Sequence, residues 1–302
     1  MKVAITGASG LIGTALRAAL RADSHQVVSF VRRNPRAPDE VRWDPAARRM
    51  DPTDLADIDG VVHLAGAGIG DKRWTQARKR ELLDSRVDGT AAVAQALAAA
   101  VDRQRFLLSA SGVHYYGTDT GDRAVDESEP NGTGFLAEVC ERWEAAADPA
   151  RSAGVRVVHP RSGLVLARRG GVMGRLLPLF RLGVGGRIGD GRAYWPWITL
   201  HDEVAALRML IDSELSGPVN LTAPAPVTNA EFTKTLGAVL HRPTLATVPS
   251  FALRIVIGDF ADEGILRVPR AIPGVLTKAG FRFGHPTLRE ALGDITGSRR
   301  VR

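Results

Sequence analysis

Met1 to Gly13 reads MKVAITGASGLIG, and the fold turns on how this stretch is read. Lys2 to Thr6 is a short apolar run rich in β-branched residues, the mark of a buried strand. Gly7, Gly10 and Gly13 follow at intervals of three, and a helical spacing of Leu11, Ile12, Leu16 and Leu20 begins at once. The glycines therefore occupy the point where strand becomes helix. Backbone N–H groups and the positive helix end attract an anion there, and residues without Cβ let it come close, which suits the pyrophosphate of a dinucleotide. The cofactor contacts expected of this turn are Thr6, Gly7, Ser9, Gly10, Leu11, Ile12 and Gly13.

Further along, His25 to Val31 reads as a second strand ending in Arg32 and Arg33. An acidic residue about twenty residues past the glycines would bind the adenosine ribose, whereas arginine suits a 2′-phosphate. Arg32 and Arg33 thus favour NADP over NAD. Val41 to Asp44 reads as a short third strand, and Asp59 to Gly66 as an apolar strand closing in small residues. Leu64, Ala65 and Gly66 at its carboxyl end leave room for a nucleotide across the sheet. His63, inside that apolar strand, reads as a core histidine. Two helices are expected next, Thr75 to Arg86 and Gly89 to Ala100, then a strand from Arg105 to Ser109 and another from Val155 to His159. Strands alternating with amphipathic helices predict a parallel, doubly wound sheet.

The 302 residues suffice for one large α/β domain with a smaller lobe, and 44% apolar with 24% charged residues is ordinary for a globular protein. A net charge of +7 spread along the chain without aromatic interleaving points to small anionic ligands and away from nucleic acid. Cys140 is the single cysteine, so no internal disulfide is possible, and its pairing with scattered histidines excludes metal-ligand spacing. No apolar run is long enough to span a bilayer, which makes a cytoplasmic location the expectation.

Four stretches resemble the extended short-chain dehydrogenase/reductase superfamily: TGASGLIG (Thr6 to Gly13), HLAGA (His63 to Ala67), SASGVHYYG (Ser109 to Gly117) and PRSGLVL (Pro160 to Leu166). GDKRWT (Gly70 to Thr75), SR-x-x-GT (Ser85 to Thr90), FLAEVCERWE (Phe135 to Glu144) and GRIGDGRAYWPWITLHDE (Gly186 to Glu203) are similar to its epimerase-like, cell-division-inhibitor-like branch. RPTLATVP (Arg242 to Pro249) and AGFRFGHPTLREAL (Ala279 to Leu292) resemble that branch's own C-terminal domain. The resemblance implies a Rossmann-type sheet in residues 1–165, with 190–225 returning to it, and a smaller substrate lobe in 166–190 and 226–302. It also implies an NADP(H)-dependent epimerase-like oxidoreductase, with Ser109 and Arg161 among the cofactor contacts.

The superfamily's usual acid/base pair is a tyrosine with a lysine four positions later, the lysine lowering the phenol's pKa. The residues four beyond Tyr115, Tyr116 and Tyr194 are Asp119, Thr120 and Ile198, so the pair is missing. Ser111 falls near the superfamily's hydroxyl position, with Ser109 the alternative. Tyr116 is either a proton donor or a packing residue. Glu138 and Glu141 share a helical face that is either solvated or an acid/base site, with Cys140 and Trp143 toward the core.

Gly170 to Gly191 holds Arg175, Arg181 and Arg187 among eight glycines, either a mobile basic loop or a binding site for a ligand diphosphate. Tyr194 to Ile198 is dense in rings that either wall a pocket or fill a core. Lys72, Trp74, Arg187 and Trp197 are the expected substrate contacts, on a small, nucleotide-sugar-like molecule. Thr228 or Asn229 is expected to cap a helix from Ala230 to Leu240. A monomer or homodimer is expected. The competing reading is an NADPH-binding regulatory or sensor protein without turnover, since the Tyr-x-x-x-Lys pair is absent.

Overall fold

The structure, a computed structural model, describes residues 1–100 and 105–297. The polar, basic stretch Ser298 to Arg302, whose composition predicts a frayed end, lies outside the described residues. Among the described residues the main sheet has eight strands: β1 (Lys2–Thr6), β2 (Gln26–Val31), β3 (Glu40–Arg42), β4 (Gly60–His63), β5 (Phe106–Ser109), β6 (Ser111–Gly112), β7 (Arg156–Ser162) and β8 (Gly217–Leu221). Their order is β8-β7-β5-β4-β1-β2-β3, with β6 also on β7, and every pair is parallel. This is the doubly wound α/β architecture implied by the sequence.

Burial on both faces explains the apolar strands. Successive side chains of β1 point oppositely, so Val3 and Ile5 join α1 (Leu11–Ala22) through Leu16 and Leu20, while Ala4 packs against the other face with Ala92 to Leu97. Those alanines belong to α2 (Gln76–Ala99), a single 24-residue helix where two had been expected. Gly89 does not break it. A Cβ at that position would lie 3.2 Å from Cε1 of His63, so glycine lets the helix close onto β4. His63 is indeed buried, its Nδ1 2.7 Å from Thr6 Oγ1 and its ring edge-on to Trp43.

Beyond the sheet, α3 (Phe135–Ala145) follows the β6 segment, and α4 (Gly171–Arg181), α5 (Leu200–Asp212), α6 (Asn229–Leu240), α7 (Ser250–Ile257) and α8 (Leu288–Thr296) complete the longer helices. A separate apolar core gathers Met173, Leu177 and Phe180 from α4, Phe232 and Leu236 from α6, and Leu288, Leu292 and Ile295 from α8 around Trp195 and Trp197. Thr228 caps α6 and completes a capping box with Glu231, while Asn229 spends its side chain on the Ile188 N–H. Among the described residues no helix is long and apolar enough to cross a membrane.

Candidate cofactor and reaction site

The glycine turn has the form a phosphate needs. Gly7 adopts φ +70°, and a Cβ on it would lie 2.8 Å from the Leu64 carbonyl carbon, so the turn presses directly on the end of β4. A Cβ on Gly13 would strike the Gly7 carbonyl oxygen and come within 2.9 Å of Ala8 Cα, so α1 packs against the turn only as glycine. Gly10 is the N-cap of α1 and gives no side-chain cap, and the first turn carries no acidic residue. The first-turn N–H groups, which a helix leaves without internal partners, therefore stand free beside small residues. Ser9 and Gly10 are exposed, Leu11 and Ile12 partly so. These residues fit a dinucleotide pyrophosphate.

At the end of β2 the two arginines differ. Arg33 is held by Glu40 in a bidentate pair, Nη2 to Oε1 at 2.6 Å and Nη1 to Oε2 at 2.8 Å, and that hydrogen bonding lowers the Glu40 carboxyl to about 2. Arg32 is exposed and has no hydrogen bond or ion pair among the described residues. It is the freer of the two for a 2′-phosphate.

The wall above β4 is built from the loop after Leu64, Ala65 and Gly66. Ser85 Oγ accepts the Ala67 N–H at 3.1 Å, Arg86 Nη1 donates to the Ala67 oxygen at 3.0 Å, Arg78 Nη2 donates to the Gly68 oxygen, and Trp74 Nε1 donates to the Ile69 oxygen at 2.9 Å. Trp74 is buried against Phe135 and Phe260, with ring centroids 5.2 and 5.3 Å away. Lys72 is exposed on the same loop.

Opposite this wall lies a polar network. Ser111 Oγ donates to Glu144 Oε1 at 2.7 Å, and Arg161 grips both oxygens of Glu144. Arg161 Nη1 also donates to Tyr116 Oη at 3.1 Å, and Tyr116 in turn donates to Asn220 Oδ1 at 2.7 Å. The guanidinium lies 3.4 Å from the centroid of the Tyr115 ring. Burial lowers the Arg161 pKa, but the hydrogen bonds and charge of Glu144 outweigh it and the net direction is upward. Burial raises the Tyr116 phenol to about 12, only partly countered by Arg161. That is the opposite of the depression a proton-transferring tyrosine requires. Ser109 Oγ is buried without a hydrogen-bond partner, and Cys140 is pushed up to about 11 by burial.

Ser111, Tyr116 and Arg161 are thus brought together, and Glu144, which holds them, was not among the residues expected from sequence. Glu138 and Glu141 are exposed, Glu138 facing Arg142 at 3.3 Å, so the solvated reading of that face holds. Trp197 is 0% exposed in the second apolar core, its Nε1 donating to the Ala225 oxygen at 3.2 Å. Arg187 is exposed on the short strand Gly186–Ile188, its Nε donating to Thr247 Oγ1 at 3.3 Å. No hydrogen bond, ion pair or ring contact among the described residues links either to the Glu144 network. Arg175 donates to the Gly70 oxygen at 2.8 Å and joins the loop wall.

A segment remote in sequence closes the far end. Glu263 Oε2 accepts the Leu136 N–H at 2.7 Å at the start of α3, and Asp259 Oδ2 accepts from Lys79 Nζ at 2.6 Å. With Phe260 on Trp74, the three residues of this segment sit on the wall loop, on α2 and on the first turn of α3.

Residues 3–221 match the model of the NAD dependent epimerase/dehydratase family, and residues 248–295 match a domain of unknown function. An epimerase family protein of Mycobacterium bovis is 51% identical over 295 residues, covering 97% of each chain. The crystal structure of human epimerase family protein SDR39U1 with NADPH superposes with a TM-score of 0.88 at 33% identity, covering 98% of this chain and 99% of that one. A nucleoside-diphosphate sugar epimerase from Corynebacterium glutamicum gives a TM-score of 0.80 at 34% identity, covering 98% of this chain but 58% of the other.

Proposed function

The chain belongs to the NAD-dependent epimerase/dehydratase family, and from that premise we propose that it binds NADP(H) and acts as an epimerase-like oxidoreductase on a small substrate. The observation that carries this reading is the uncapped amino end of α1 behind Gly7, Gly10 and Gly13, with Arg32 unpaired at the end of β2. Thr6 to Gly13 would hold the pyrophosphate, Arg32 the 2′-phosphate, and Leu64 to Gly66 with Ser109 would line the strand ends. A bound nicotinamide supplies hydride transfer. The human relative's crystal structure with NADPH supports the choice of cofactor.

Proton movement belongs to the chain itself. Ser111 directs its hydroxyl hydrogen to Glu144, so its lone pairs face the other way and suit a substrate hydroxyl. Ser111 takes that hydroxyl's proton as it passes its own to Glu144, which replaces the missing Tyr-x-x-x-Lys pair by a Ser–Glu pair. Arg161 fixes the Glu144 carboxylate in place through both oxygens, and Tyr116 locks Arg161 in turn. Lys72 on the wall loop would meet the substrate, while Trp74, buried behind it, holds the loop in shape.

A second reading, an NADPH-binding sensor without turnover, is favoured by one observation: Tyr116, whose hydroxyl joins the network, has a raised pKa and a spent hydroxyl. Calorimetry on ligand-stripped protein tests the shared premise, with NADPH expected to bind more tightly than NADH and no heat from either contradicting it. Nicotinamide absorbance followed against carbonyl compounds and nucleotide sugars separates the two readings. Turnover that is lost in Glu144→Gln supports the enzyme, and full binding with no turnover across the panel supports the sensor.

A further inference from the structure

The SR-x-x-GT motif places Arg86 on the inward face of α2, where the residue is 6% exposed. Nη1 is satisfied twice, by the oxygens of Ala67 and Leu82, each at 3.0 Å. The plane stacks on Trp143 at 4.9 Å from the ring centroid. Nε is buried with no hydrogen-bond partner, and Nη2 donates to nothing among the described residues. Nor does any carboxylate among them form an ion pair with Arg86. Arg78, two turns earlier on the same helix and equally buried, has its counter-ion in Glu81 at 2.6 Å. Arg86 alone of the two is left as an uncompensated interior cation.

Such a group is costly unless something pairs with it. Burial pulls Arg86 down to about 10, which leaves it charged at neutral pH. Its open edge, Nε with Nη2, is the edge by which Arg161 grips both oxygens of Glu144 elsewhere in the molecule. Two parallel N–H groups match a planar carboxylate.

Position supplies the second half of the argument. A Cβ on Gly66 would lie 3.5 Å from Arg86 Cγ and Cζ and 3.6 Å from Nη1, so the bare backbone past the end of β4 lies against the guanidinium. On its other side, Trp143 and the Cys140 of α3 approach, and Cys140 Sγ contacts the Gly112 oxygen at 3.6 Å, next to Ser111. The cation therefore sits between the carboxyl ends of two central strands, on the side of the sheet where ligands of open α/β folds gather.

We propose that Arg86 is the substrate anchor of this site and that the substrate carries a carboxylate, which the Nε–Nη2 edge binds in bidentate fashion. The assignment rests on the cleft reading above, since the carboxylate belongs to the molecule that occupies that cleft.

The test uses the full chain loaded with NADPH and three probes: oxalate, malonate and inorganic phosphate. In wild type, a carboxylate probe is expected to shift the Arg86 Nε–H nuclear magnetic resonance, assigned by its absence in Arg86→Met. Arg86→Met is expected to weaken carboxylate binding at least tenfold while NADPH affinity stays within twofold, and Arg86→Lys to recover part of the loss. Equal probe binding by wild type and Arg86→Met overturns the proposal, as does an unmoved resonance at saturating probe. So does a resonance that answers to phosphate but to neither carboxylate, or one that answers to NADPH alone with parallel loss of NADPH binding in the variant. Should Arg86→Met fail to fold, the wild-type resonance and Arg86→Lys decide. Failure of the cofactor reading is seen separately, as absence of NADPH binding to wild type.

Discussion

Arg161 and Glu144 meet edge to edge, Nε to Oε1 and Nη2 to Oε2, both at 2.8 Å, with Arg161 only 3% exposed. The pair ties β7 to α3 and sets the direction of the Ser111 hydroxyl. Removing one partner strands the other charge indoors. Glu144→Ala is expected to lower unfolding free energy by about 3–5 kcal/mol. Urea denaturation measures this, and the double variant Glu144→Leu with Arg161→Met should recover part of the loss. A double variant as unstable as the sum of the two single ones would show that the charges do not act as a pair.

Arg32 and Arg33 should separate in their effects on the cofactor. Arg32→Ala is expected to cost about 1.5–3 kcal/mol of NADPH affinity, the value of a charge-assisted hydrogen bond, with NADH nearly unchanged. Arg33→Ala should cost less, because its fork is already committed to Glu40. Isothermal titration with both dinucleotides decides it, and equal losses for NADPH and NADH would remove the 2′-phosphate assignment.

Glu203 and three histidines pull stability in opposite directions with pH. Burial raises Glu203 to about 8 from its ordinary 4.5, with Ser162 donating to Oε1 at 2.6 Å as a partial offset. The folded protein holds that proton more tightly than the unfolded chain, so its stabilising effect is complete below about 4.5 and is lost as pH rises to about 8. Glu203→Gln, measured beside wild type at several pH values, should remove the decline, and parallel curves would contradict it.

His63 and His159 are buried and His114 is half-buried, and desolvation holds His63 near 3 and the other two near 4 against an ordinary 6.5. Here the folded chain binds fewer protons, so stability is full above about 6.5 and falls as pH drops toward 4. A loss steeper than one proton per molecule between those limits is expected in acid titrations of unfolding free energy. A flat response there would show the rings to be charged in place.

Gly13→Ala forces a Cβ against the Gly7 carbonyl, which is backbone and cannot rotate away. A loss of about 1–3 kcal/mol is expected, with weakened dinucleotide binding as α1 tips from the turn. Gly293 is the control: it lies within α8 and has no atom within 4 Å of its missing Cβ. Gly293→Ala should stabilise by roughly 0.5–1 kcal/mol, a change read in melting temperature.

The glycine turn was legible because strand, turn and helix each leave a local pattern within thirteen residues, and the turn's requirement for missing Cβ atoms is written in the residue types. The unbroken α2 was not, because the reason for Gly89 is the His63 ring on another element. Glu144 escaped for a related cause. Cys140 faces inward, and Glu144 stands four residues later on the same stripe, a spacing that marks it as inward too. Its partner, however, comes from a strand beginning twelve residues further on, and charge alone does not reveal that. Trp197 lies among rings that suit either a pocket or a core, and only the packing of α4, α6 and α8 around it shows which.

The seam made by Asp259, Phe260 and Glu263 makes the segment beyond Leu221 inseparable from the loop at Trp74, from α2 and from α3. Asn220 adds to it, donating through Nδ2 to the Ile272 oxygen at 2.9 Å, while Glu127 receives the N–H groups of both Asn220 and Val275. A version trimmed after Leu221 to isolate a minimal nucleotide module would bare the Trp74 ring, leave the Leu136 N–H without Glu263 and leave Glu127 with half its partners. Engineering by modular exchange should therefore cut elsewhere, and grafts of the terminal segment from relatives must carry matching contacts at Trp74, Leu136 and Asn220.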